Sequence, residues 1–244
     1  MRVVINHLTR MRRGYICVAG IDLATGQHVR PIPRGSDLRY RDLAAHGGVF
    51  EIGNVIDLGT TKPIGKPPEI EDTEFFKHSA RIGPNLDAAE FWTRMKCTAK
   101  TSFIELFGRD LHKVGRAHAA IDVGHGERSL GMLHITKSRP ELVIEACQPR
   151  PRLRMKLQTG RIPLSVAVTD IRLYAPDHVT PDPTAVVAAN ERLKSSAEVL
   201  LSVGLSRAYS DWLSHEPERH WLQINNLHFV ENPFWRLPLG PEPS

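Results

Sequence analysis

Apolar residues in this chain fall mostly into short runs of strand length, separated by Gly, Pro, Asn and Asp. Residues 2–5 (RVVI) begin a strand and residues 15–22 (YICVAGID) form a second. The turn LATGQ then leads back into HVRPI at 28–32, a hairpin whose Gly26 is free to take a positive φ. Residues 49–58 (VFEIGNVIDL) alternate as a further strand with a bend at Gly53, and the prolines of 62–68 mark a loop. The period then becomes helical over 87–97, with Asn85 or Asp87 as cap. Ser102 and Glu105 have the spacing of a capping box that opens a second short helix ending at Gly108. Strand patterns return at 130–135, 141–146, 152–157 and 162–173. Asp182-Pro183 then caps a helix to about Lys194, with Val186, Ala189 and Leu193 on its apolar stripe. Strands at 199–205 and 221–229 close the pattern, and Trp235 anchors the segment that follows them.

Short strands with one helical segment late in each half predict a mainly β fold of two small barrels. A parallel α/β sheet would need a helix after nearly every strand. The 244 residues are enough for two domains of ordinary size, and 41% hydrophobic with 24% charged residues excludes a disordered or collagen-like chain. No apolar run approaches the ~18 residues of a membrane span, and MRVVINHLTRMRR lacks the apolar segment of a secretory signal. Cys17, Cys97 and Cys147 are odd in number and have no CxxC spacing, which predicts reduced thiols. The expectation is a soluble cytoplasmic protein without a membrane partner.

Charge changes the picture by its distribution. The net charge is +5, but residues 1–41 carry eight Lys/Arg against Asp22 and Asp37, and residues 137–161 carry seven against Glu141 and Glu145. Two arginine-rich blocks in an acidic remainder are the footprint of a polyanion binder, because guanidinium groups fork onto phosphate oxygens. Solvated charge-rich hairpins are the plainer reading. The candidate nucleic-acid contacts are Arg10, Arg12, Arg30, Arg34, Arg39, Arg41, Arg150, Arg152, Arg154 and Lys156, with Tyr40 as a stacking ring among basic neighbours. Tyr15 and Trp221 lie inside strands and suit either the core or a stacking platform. The hairpin turn predicts that Arg10, Arg12, Arg30 and Arg34 gather at one end of the first barrel.

Catalytic and cofactor patterns are weak. Gly59–Lys66 has five residues between its glycines and Pro67 where a phosphate loop needs Ser or Thr. Gly124-His125-Gly126 has Ser129 at the third glycine position of a dinucleotide fingerprint. The histidines, including His112, His118, His125 and His134, show no zinc-binding spacing. Cys17 on its apolar strand reads as core, and Glu69, Glu71, Asp72 and Glu74 read as a solvated acidic loop. The sequence nominates no catalytic residue, metal ligand or cofactor.

The stretch Thr9-Arg10-x-Arg12 followed by YICVAGIDLATGQHVRPI resembles the opening signature of the prokaryotic dual-OB-domain family, in which a C-V-A-G-[IV]-D strand, a T-G turn and an R-P step follow one another. Val199–Phe229, with G-L-S-R and then a Trp-containing strand, is similar to that family's closing motif. The resemblance implies two OB barrels: residues 1–130 with a helical insert about 85–108, residues 131–237, and a tail at 238–244. OB barrels commonly take oligonucleotides across one sheet face, so it also implies a module of a prokaryotic multi-component system that binds single-stranded or structured DNA or RNA. Two other readings stay open: a protein–protein adaptor whose arginines are interface anchors, and an enzyme or small-nucleotide sensor with a pocket between the barrels.

Overall fold

The computed structural model describes residues 1–136, 139–147, 150–159, 162–210 and 217–235. Lys137 and Arg161 of the second basic block, and the tail at 238–244, lie outside the described residues.

The first barrel starts with a meander of β1 (Arg2–Arg10), β2 (Ile16–Asp22) and β3 (His28–Pro33). Gly20 sits against β1 so closely that a Cβ there would lie 2.3 Å from the Val4 carbonyl oxygen, so no larger residue fits. Asp22 holds the turn by accepting from the Thr25 hydroxyl at 2.9 Å, and Gly26 takes φ 71°. β4 (Val55–Asp57) pairs with β1, β5 (Thr61–Pro63) pairs with β6 (Asp72–Phe75), and β6 runs parallel to β3. Residues 55–63 thus act as one bent strand that closes the barrel between β1 and β6. β7 (Arg81–Ile82) extends the edge at β4.

The helical insert lies where its pattern predicts. α1 (Ala88–Thr98) is capped by the Asp87 carboxylate, which accepts from Glu90 N, and α2 (Phe103–Phe107) by the Ser102 hydroxyl, which accepts from Glu105 N. Between them runs β8 (Ala99–Lys100), and after them the hairpin β9 (His112–Val114) and β10 (His118–Asp122). The insert serves two cores. Phe91, Trp92 and Met95 of α1 pack with β1–β6, whereas Phe103, Leu106 and Phe107 of α2 pack with the second half.

The second barrel repeats the strand order of the first. β11 (Leu130–Ile135) pairs with β15 (Val199–Leu205), and β12 (Glu141–Glu145) pairs with β13 (Arg152–Thr159). β13 pairs with β14 (Ile162–Val168), and β14 runs parallel to β16 (Arg219–Phe229), which pairs with β15. β11 and β12 are the two ends of one bent first strand. Between β14 and β15 lies α3 (Pro183–Ser195), capped by Asp182, with Ala185, Val186, Ala189 and Leu193 in the core. In both halves the order is therefore first, second, third, fifth and fourth strand, with third and fifth parallel.

The barrels meet along a buried polar seam. Leu8 N donates to Asn226 Oδ1 at 2.6 Å and Asn226 Nδ2 donates to the Leu8 carbonyl at 3.2 Å, so one amide side chain continues a strand ladder. The Ser202 hydroxyl donates to the Asn6 carbonyl at 2.7 Å, and His228 Nε2 lies 2.9 Å from that hydroxyl. Asn225 Nδ2 lies 3.1 Å from His7 Nδ1. Burial pushes His7 well below its ordinary value, and His28 and His228 to about 4 and about 3, so all three are neutral at pH 7.

Two expectations fail here. The strand predicted at 49–58 is a turn followed by three strand residues, because Gly53 takes φ 86° and the Phe234 ring packs against its α-carbon. The acidic run is not a solvated loop. Asp72 and Glu74 belong to β6, and the buried Glu71 carboxylate accepts from the Ser129 amide and hydroxyl and from Leu130 N, tying the first barrel to the start of β11.

Candidate nucleic-acid interface

Alternation along β13 sorts its side chains. Leu153, Met155 and Leu157 enter the second core, while Arg152, Arg154 and Lys156 face outward. On β14, Ser165 and Ala167 stand opposite Lys156 and Arg154, and on β16 Gln223 stands opposite Ala167 with Trp221 two residues before it. This is the outer face of the second and third strands. Arg150, two residues before β13, borders it on one side, and Tyr209, bridged to Arg219 at the start of β16, borders it on the other. Five-stranded barrels of this order bind oligonucleotides on that face.

Trp221 is the centre of an aromatic and basic group. Its ring lies 6.2 Å from Tyr209 and 6.3 Å from His118, and the Arg219 guanidinium carbon lies 6.0 Å from its centre. Its indole N–H donates to the Tyr209 carbonyl at 3.3 Å, which fixes the ring while Tyr209 itself is 45% exposed. Arg154 donates to His118 at 2.8 Å and lies 3.7 Å from Glu145. Burial, reinforced by Arg154, lowers the pKa of His118, so a neutral imidazole nitrogen accepts from the guanidinium. Arg219 pairs with Asp122 at 2.9 Å.

The first barrel presents the corresponding face differently. Arg30 is 4% exposed, donates to Asp72 of β6 and to the Ser129 hydroxyl, and is enclosed where no phosphate can reach it. Arg207 bonds Asp72 from the other side and lies 3.4 Å from Glu69, to which the buried His220 also points. Arg34 sits apart, over the Phe76 ring and 4.0 Å from Glu74. The predicted gathering of Arg10, Arg12, Arg30 and Arg34 is therefore overturned. β3 leaves β2 after Val29 to join β6, so it is Arg39, not Arg34, that returns to Tyr15.

Tyr40 also differs from expectation. Its ring packs 4.2 Å from His178 and its hydroxyl is enclosed, so it is a packing residue rather than an open platform. Arg10 donates through Nε to the His178 carbonyl at 2.6 Å and lies over Tyr174. Arg12, Arg13, Arg39 and Arg41 are exposed beside this corner, and Arg39 covers the Tyr15 ring at 4.9 Å. Among the described residues, none of Arg12, Arg13, Arg39, Arg41, Arg150 and Arg152 has a carboxylate within ion-pair distance, in contrast to the buried Arg30 and Arg172.

Trp221, Tyr209, His118 and Arg219 are the members of the outer face that the charge blocks do not reveal. One signal for two of them was present: in RHWLQI, period-two alternation sets Arg219, Trp221 and Gln223 against His220, Leu222 and Ile224. Tyr209 and His118 carry no such signal, because the bridge of Tyr209 to Arg219 and the pairing of β10 with β16 place them. The signature residues, by contrast, hold the structure together. Gly204 leaves room for Asn225, whose Nδ2 would lie 2.6 Å from a Cβ there. Ser206 accepts from Trp221 N, Arg207 anchors Asp72, and Arg30 fills the seam. Among the described residues no helix is long and apolar enough to cross a membrane. A comparison with curated proteins returned no similar sequence. The model of the dual OB-containing domain, however, matches residues 1–227, taking in both barrels, the seam and nearly all of β16; the chain belongs to the dual OB-containing domain family.

Proposed function

We propose that this protein binds single-stranded nucleic acid on the outer face of its second barrel, with residues 1–130 and 131–237 as the two modules and the first acting as the scaffold that orients the second. The observation that carries this reading is that the exposed Arg152 and Lys156 of β13 share a face with Trp221 and Tyr209, with Arg154 and His118 packed between them. The cations meet the phosphates, which positions a strand without reading its sequence. The indole and phenol rings offer faces on which bases of any identity stack.

The test is fluorescence anisotropy with labelled DNA and RNA oligomers of about 8 nucleotides, within the site size of one OB barrel, at several salt concentrations. Saturable binding is expected, weakening with a log–log slope of about −0.7 per phosphate contact. Absence of binding to both oligomers at low salt would overturn the proposal. Duplex competitors that displace the single strand at equal concentration would overturn its single-strand part.

A further inference from the structure

We infer that the bound strand does not end at the second barrel but continues onto a corner of the first barrel, made by the loop joining β1 to β2 and the segment after β3, where Arg12, Arg13, Arg39 and Arg41 form a second anchor for its phosphates. This rests on the reading above. The backbone supplies the path. β13 runs antiparallel to β14 with Arg154 opposite Ala167, so Arg152 stands at the end of β14 nearest Thr169. The Thr169 carbonyl accepts the Arg10 amide at 3.0 Å, and Thr9 bridges Asp170. Arg152 and Arg10 are thus separated by two strand spacings, roughly 10 Å, which is within reach of adjacent phosphates on one extended strand.

The chemistry of the corner fits a polyanion. Its four exposed guanidinium groups have no carboxylate in ion-pair range among the described residues, and of the nearby acids Asp42 and Asp177 are engaged while Asp37 is exposed. Asp42 is bound by Lys77 at 2.7 Å, and Asp177 accepts from Val179 N, Thr180 N and the Thr180 hydroxyl. The platform under the corner is built rather than loose. Arg10 is fixed between the His178 carbonyl and the Tyr174 ring, Tyr40 packs on His178, and Gly14 at φ 77° brings the loop backbone against the Tyr40 ring. Arg30 of β3 and Asp72 of β6 are closed off in the seam, so the basic groups of the first barrel that can meet a phosphate beside Thr169 are those of this corner.

The experiment compares oligothymidylate and oligouridylate of about 4 nucleotides, too short to leave the second barrel, and about 20 nucleotides on the intact protein and on the Arg12→Ala/Arg13→Ala/Arg39→Ala variant. The variant is expected to bind the short oligomers as the parent does, within about twofold. It is expected to bind the long ones about tenfold more weakly, with a salt slope shallower by about 2. Using the same long oligomer on both proteins removes the advantage of extra binding registers. An Arg12→Glu/Arg41→Glu variant should reproduce the length-selective loss, with thermal unfolding showing that both variants keep their fold. Equal weakening of short and long oligomers, or no weakening of either, overturns the second anchor while leaving the first reading in place. Failure of the parent to bind oligomers of either length overturns the first reading as well.

Discussion

The two barrels share one strand order and use the same outer face in opposite ways. In the first, β1, β3 and β6 carry His7, Arg30 and Asp72, and each meets a polar group of the other half: Asn225, Ser129 and Arg207. In the second, the face of β13, β14 and β16 leaves Arg152 and Lys156 exposed and Trp221 partly open, while Arg154 is held by His118 and Glu145. An arginine count does not separate these uses, but partners do. A guanidinium removed from water must gain a carboxylate and hydrogen bonds to offset its desolvation, whereas one facing solvent need not. Arg30 sits between Asp72 and Ser129, while Arg152 has no such partner among the described residues.

The contrast can be broken first at the closed face. Arg30→Ala leaves Asp72 to Arg207 and the Ser129 hydroxyl to Glu71, yet empties a buried ion pair and should cost about 3 kcal/mol of stability in urea unfolding. Arg152→Ala, in the same assay, should change stability by less than about 0.5 kcal/mol. Comparable losses for the two would erase the distinction drawn here.

Acid should loosen the same face. His28 and His228 are neutral in the fold at about 4 and about 3, while the unfolded chain protonates near the ordinary 6.5. Unfolding therefore takes up protons below that value. Stability is full above pH 6.5 and falls as the pH is lowered, by up to about 2 kcal/mol per histidine at pH 5. A melting temperature flat between pH 7 and pH 5 would contradict the buried, neutral state of these rings.

At the open face the effects fall on binding. Trp221→Ala should weaken a short single strand by about 1–3 kcal/mol with the salt slope unchanged, as loss of a stacking surface does. Tyr40→Ala should lower the melting temperature and leave short-strand affinity in place. The smallest effect sharpens the role of the cations: Arg152→Ala should reduce the salt slope by about 0.7, read from anisotropy titrations at four salt concentrations.

Much of the architecture was legible along the chain because it depends on near neighbours. Alternation marks β11, β13 and β15 within two residues, and Asp87, Ser102 and Asp182 cap the helices their positions announce. The candidate site was legible in part. β13 shows its basic outer row as RLRMK, but nothing local places Tyr209 and His118 beside Trp221. β6 was hidden because DTEF reads as a charged loop until β3 and Arg207 supply partners for Asp72.

Local chemistry thus determined the strands, the caps, the turn at Thr25-Gly26 and the presence of two arginine-rich blocks. Only the tertiary structure decided which arginines became internal wiring and which stayed on the surface. That choice depends on pairs far apart in the chain, such as Arg30 with Ser129, Asp72 with Arg207 and His7 with Asn225. A side chain's burial is set by what the rest of the chain packs against it, and a period of two can say which face a residue takes but not whether another barrel will cover that face.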